Sequence, residues 1–114
     1  MSKVSFEGIG EMVATFACAK EVQAGQVVKM TADGTVGPCD AGDRPCGVAL
    51  SDGEKGFAAV QIGGLVKAPV SEEGITPGWC KLSADGQGGL HADSGTGTDF
   101  LVVWVESDGA VVRL

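Results

Sequence analysis

The chain has no tyrosine, one histidine and few aromatic residues of any kind: four Phe and two Trp. A core here must be built from Val, Leu, Ile and Ala. The single histidine, His91, restricts chemistry further, because a Cys/His or Ser/His nucleophile pair would have to use it. A lone histidine in the Gly88-Gly89-Leu90-His91-Ala92-Asp93 stretch reads as a solvated loop residue. No apolar run approaches the roughly 18–20 residues that span a membrane as a helix. The start, Met1-Ser2-Lys3-Val4-Ser5-Phe6-Glu7, shows no basic region followed by an apolar stretch, so no signal peptide is expected.

Basic residues are also sparse. Eight Lys and Arg stand against fifteen Asp and Glu, for a net charge of -7. The eight are scattered, whereas a nucleic-acid backbone needs them clustered. Neither a nucleic-acid nor a membrane partner is expected, and the acidic surface serves solubility.

Metal and cofactor signals are missing. Cys39 and Cys46 are separated by six residues, against about two to four in structural zinc sites. That loop permits a disulfide. Without a secretory signal, reduced thiols acting as small apolar filler are the preferred reading for Cys18, Cys39, Cys46 and Cys80. Asp40 with Asp43, and Asp93 with Asp99, lack the twelve-residue alternating calcium loop, and Asp turns the backbone by itself. Gly8-Ile9-Gly10 and Gly95-Thr96-Gly97 open no helix and lack the Gly-Lys-Ser/Thr ending of a phosphate loop. No catalytic, cofactor-binding or metal-binding residue is assigned, and an enzyme is not expected.

Glycine is plentiful, 19 of 114 residues, more than twice the usual share of about 7%. Much of it belongs to an internal repeat. The segment from Val22 to Gly34, containing Ala24-Gly25-Gln26-Val27-Val28-Lys29 and ending Ala32-Asp33-Gly34, returns one residue shorter from Ile75 to Gly86. The later copy contains Pro77-Gly78-Trp79-Cys80-Lys81 and ends Ala84-Asp85-Gly86. Downstream, Val48-Ala49-Leu50-Ser51-Asp52-Gly53 is answered by Val103-Trp104-Val105-Glu106-Ser107-Asp108-Gly109. Residues 22–62 and 75–114 thus read as two copies of one β-unit, and a repeat constrains architecture strongly.

Four Asp-Gly pairs, at 33–34, 52–53, 85–86 and 108–109, punctuate apolar runs. Asp-Gly is a hairpin signal because both turn positions then take φ > 0. Strands are expected at about 12–19, 26–31, 46–51, 56–62, 64–69, 79–83, 100–106 and 110–114. The wholly apolar 101–105 predicts a strand covered on both faces. No window has helical periodicity, although one turn near Ser71–Ile75 is compatible with the sequence. The expected fold is all-β, with at most one short helix. It is a small, β-tulip-like barrel or sandwich made of two repeated units. Residues 1–21 form an N-terminal arm and first strand, and 22–114 a single β domain.

Lys29 and Lys81 fall at matching strand positions and should point outward with their stems on the surface. Partner contacts are expected outside the scaffold: in the apolar arm at Val4, Phe6 and Ile9, and at Trp79. Trp104 lies in the most apolar strand and is expected in the core or in a subunit interface.

The strings Ala24-Gly25-Gln26-Val27-Val28-Lys29-Met30, Asp33-Gly34-Thr35-Val36 and Ala41-Gly42-Asp43-Arg44-Pro45-Cys46-Gly47-Val48-Ala49 resemble small head decoration (capsid-stabilising) proteins of tailed bacteriophages and prophages. In that family a "Gly, two residues, Val-Lys, Asp-Gly" strand-turn leads to a "Pro, x, Gly-Val-Ala" strand. A further strand pair follows, here Val60-Gln61-Ile62-Gly63-Gly64-Leu65-Val66. The likeness covers about residues 22–70, with 75–114 as a weaker continuation, and 1–21 match no part of it. The resemblance implies a β-rich, often trimeric protein made in the bacterial host cytoplasm. It would act on the head surface of the virion, bound to the major capsid protein lattice, as a structural component that stabilises the capsid. In lambda-like members the arm contributes to attachment. Another virion β-module, such as a head fibre base or tail component, and a small non-catalytic ligand-binding barrel using Trp79 are the competing readings.

Overall fold

The computed structural model describes residues 10–19, 21–70 and 74–114. Among them are ten strands and no helix. The first half carries β1 (Met12–Cys18), β2 (Val27–Ala32), β3 (Thr35–Pro38), β4 (Gly47–Ala49) and β5 (Phe57–Gly63). The second half carries β6 (Leu65–Pro69), β7 (Gly78–Ala84), β8 (Leu90–Ala92), β9 (Thr98–Val105) and β10 (Gly109–Arg113). Eight strands stand where the apolar runs predict them. The other two, β3 (TVGP) and β8 (LHA), are not predicted from the sequence and lack a continuous apolar run. The turn considered near Ser71–Ile75 falls partly outside the described residues, and Gly74 and Ile75 are not helical.

The halves repeat one topology. In the first, β1-β3-β2-β4-β5 close into a barrel. The antiparallel neighbours are β2 with β3 and β4, β4 with β5, and β5 with β1, while β1 meets β3 in parallel. In the second, the order β6-β10-β9-β7-β8 contains the same four antiparallel pairings, five strands later in the chain. The fifth contact is reduced to one parallel bridge, Val70 with Leu90. It stands where Ala17–Thr35 and Cys18–Val36 close the first barrel.

The topology therefore carries the repeat further than the spelling does. β1, expected to lie outside the repeat, is the counterpart of β6. Each is preceded by a glycine of positive φ, Gly10 (68°) and Gly64 (84°). These two meet: a Cβ on Gly64 would come within 2.6 Å of the Gly10 carbonyl oxygen.

The Asp-Gly turns are less uniform than expected. Among the described residues only glycines have positive φ, so no Asp of these pairs adopts it. At Asp33-Gly34, the hairpin between β2 and β3 has a register shift between Met30 and Ala32. The bulge adds twist, and Gly34 (φ 60°) alone takes the left-handed position. Asp85 instead braces a longer loop, its Oδ1 accepting from the Gln87 and Gly89 N–H groups at 2.6 and 3.1 Å. Asp52 reaches back to the Ala24 N–H at 2.8 Å.

Two cores result. Val22, Val28, Val36, Ala49, Ala58 and Val60 fill the first barrel. A larger cluster joins Val27, Cys39 and Val48 of the first half to Leu82, Leu90, Phe100, Val102 and Val112 of the second. Neighbours Val27 and Val28 are both buried but serve different cores, because successive strand side chains face opposite ways. Burial of each such side chain stabilises by roughly 1.5–3 kcal/mol before the entropy of ordering is subtracted. Loops exchange backbone bonds across the junction. Ala84 N–H donates to the Asp43 carbonyl (2.8 Å), Gly42 N–H to the Ala84 carbonyl (2.9 Å) and Val27 N–H to the Gly88 carbonyl (3.0 Å).

The four cysteines are free thiols, with Cys39 buried and the rest half-buried, as apolar filler would be. Burial chiefly, and then the Asp43 carboxylate, push the Cys39 thiol up to about 12.

Candidate functional site

β9 is not covered on both faces. Phe100 and Val102 are buried, whereas Leu101, Val103 and Trp104 are half-buried and Val105 is exposed. The core shared with the first half of the chain lies on the face of this sheet that carries Phe100 and Val102, its inner face, and Leu101 lies on the opposite, outer face.

Strand register builds a row on that outer face. Trp79 of β7 pairs with Leu101 of β9, Leu101 with Arg113 of β10, and Arg113 with Leu65 of β6. Trp79 is 64% exposed, the highest value among the large apolar side chains described. The Arg113 guanidinium lies 5.6 Å from the centre of its ring, a cation–π contact that also fixes the arginine. Ion pairs flank the row: Lys81–Asp99 at 3.5 Å, and Lys67 with Glu106 (2.8 Å) and Asp108 (3.4 Å). An apolar centre holding Trp and Arg, with a charged rim, is the anatomy of a protein-binding patch.

Trp79 is thus the one sequence-predicted contact that the described residues contain. Val4, Phe6 and Ile9 lie outside them. Sequence reasoning missed Leu65, Leu101 and Arg113, whose side-by-side placement depends on register across four strands. One usable signal existed: Lys81 points outward, and Trp79, two residues earlier, shares its face.

On the first barrel Met12 (60%) and Phe57 (62%) are also exposed, at opposite ends of the β1–β5 pairing, where Met12 faces Gly63 and Phe57 faces Ala17. Between the halves, Arg44, Pro45, Cys46, Ile62, Phe100 and Leu114 line a cleft of about 370 Å³.

His91 is not simply a solvated loop residue. It lies on β8 opposite Ser83, with its Nε2 2.9 Å from Ser83 Oγ. The Ser83 hydroxyl donates to Asp93 Oδ2 at 2.8 Å, so the imidazole N–H donates to Ser83. A hydrolytic triad needs the imidazole between serine and carboxylate. Here the serine is in the middle, 1% exposed, with its only proton committed to Asp93. The arrangement orders a turn: Asp93 also accepts from the Gly95 and Thr96 N–H groups and the Thr96 hydroxyl. Those bonds, the Thr96 hydroxyl foremost, hold the Asp93 carboxyl well below its usual range.

Lys29 binds Asp43 at 2.6 Å and Asp40 at 3.2 Å, and Asp43 also accepts from the Asp40 N–H. The lysine, and secondarily that N–H, hold the Asp43 carboxyl down. Among the described residues, no group of three or more His, Cys, Asp or Glu side chains is placed to hold a metal ion. These residues contain no helix, and so none long and apolar enough to cross a membrane.

Compared with models of known families the chain matches none, and no curated protein matches it.

Proposed function

We propose that this protein is a structural virion component that binds the outer surface of an assembled phage head and stabilises the shell. The observation that carries the reading is the Leu65–Arg113–Leu101–Trp79 row, an open apolar face with a charged rim on a rigid sheet. Such a face suits a broad protein lattice better than a small ligand, which a concave site would enclose. The motifs of residues 22–70, which resemble head decoration proteins, support the same assignment. Copies that bind only the assembled lattice stabilise it by mass action. Assembly as a homotrimer would cover apolar side chains that the lone chain exposes, Met12 and Phe57 among them.

Cosedimentation with expanded phage heads tests the proposal. Retention on heads, with none on free coat subunits, is the expected result. Absence of retention at micromolar protein overturns it. Detection on tails alone assigns the chain to another virion module.

A further inference from the structure

Four Asp-Gly pairs make this chain a candidate for isoaspartate formation, and the structure treats the four very differently. In that reaction the glycine backbone nitrogen attacks the Asp side-chain carbonyl carbon. Water leaves and a five-membered succinimide closes. Water then re-adds at either ring carbonyl, giving aspartate or isoaspartate with no net change in mass. The reaction needs a carboxyl group free to turn onto the next nitrogen, in a backbone segment free to follow.

Three pairs are restrained. Asp52 is held by the Ala24 N–H, and Gly53 is buried with its own N–H donated to the Val22 carbonyl at 2.8 Å. Asp85 is half-buried, with one oxygen accepting two backbone N–H groups. Asp108 lies 3.4 Å from the Lys67 ammonium, and Gly109 is buried as the first residue of β10, paired with Pro69. At 33–34 both residues are exposed. The Asp33 carboxylate makes no hydrogen bond or ion pair with the described residues, and only its backbone carbonyl is used, by the Thr35 hydroxyl at 3.0 Å. The chain contains no asparagine, so deamidation does not feed the same intermediate elsewhere.

We infer that Asp33-Gly34 is a modification site, the place where this protein spontaneously forms isoaspartate. The location has a consequence. An isoaspartyl linkage adds one atom to the backbone of the β2–β3 hairpin. That hairpin carries β3, which closes the first barrel, and the Gly34 carbonyl that accepts from the Ala17 N–H at 3.0 Å. A one-atom insertion there disturbs the strand pairing that completes the barrel.

The test is prolonged warm incubation of the full chain at neutral pH, then tryptic digestion and electron-transfer fragmentation. Residues 30–55 fall in one tryptic peptide, since Arg44 precedes Pro45, and fragmentation separates isomers at 33 from those at 52. In the folded protein, isoaspartate at 33 should exceed that at each other pair several-fold. In denaturant the four should approach parity. A D33E variant, unable to close the five-membered ring, should lose most of the isoaspartate. Another pair leading in the folded protein, equal rates at all four, or an unchanged total in D33E each overturns the inference.

Discussion

Arg113 holds its guanidinium 5.6 Å from the centre of the Trp79 ring, although the two strands that carry them are separated by β9. Leu101 fills the position between them. The contact spans one face of the sheet and orients the most exposed large apolar side chain described.

Replacing Trp79 separates binding from folding. Trp79→Ala should cost about 2 kcal/mol or more of head binding, as truncation of a tryptophan anchor does. Stability should change little, since the side chain is 64% exposed. Arg113→Ala should lower stability by only about 0.5–1 kcal/mol, the range for an exposed cation–π contact. Cosedimentation and thermal melting of the same samples distinguish the two effects.

Leu82→Ala should be the opposite case. Leu82 is fully buried in the core shared by the two halves. Its truncation should cost about 2–5 kcal/mol, measured by denaturant unfolding. A loss under about 1 kcal/mol would mean that the halves are not joined by this cluster.

Acid should weaken the fold through Asp93 and Asp43. Both are held below the ordinary value of 3.8 in the folded chain. A depressed folded-state pKa gives stability that is fully present above the unfolded value and is lost as pH falls through the folded one. Stability should therefore be flat near neutrality with respect to these groups and decline below the ordinary carboxylate range. Asp93→Asn, which cannot ionise, should flatten that decline. Urea midpoints taken across the acid range measure it.

Two glycines without positive φ should respond very differently to alanine. A Cβ on Gly53 would lie 2.5 Å from Cys18 Sγ and 2.6 Å from the Ala19 carbonyl oxygen, so Gly53→Ala should destabilise by about 1–3 kcal/mol. At Gly95 the nearest atom is Asp93 Oδ1 at 3.6 Å, and Gly95→Ala should be close to neutral. Thermal denaturation of both variants is sufficient.

Most strands were legible because their stretch of chain carries a run of apolar residues set off by turn residues. β3 and β8 were not, since Thr35–Pro38 and Leu90–Ala92 become strands only by pairing with the longer neighbours β2 and β7. At the candidate site, Trp79 could be read as outward from its spacing to Lys81. Arg113 could not be read as its neighbour, because 33 residues of chain separate them and only β9 relates their registers.

Local content is what the sequence by itself determined: an all-β chain, doubled, with turns near its Asp-Gly pairs and an acidic surface. Tertiary structure alone decided how far the doubling extends. β1 and β6 share little spelling, yet each pairs antiparallel with the last strand of its half. It also decided that the first half closes into a barrel while the second remains a five-stranded sheet with a single Val70–Leu90 bridge. Alternation along a strand tells which residues share a face, whereas the partner of each strand depends on contacts distant in the chain. A slip of one residue in that pairing turns every side chain to the other face. The Trp79–Leu101–Arg113–Leu65 row therefore exists only in the folded sheet.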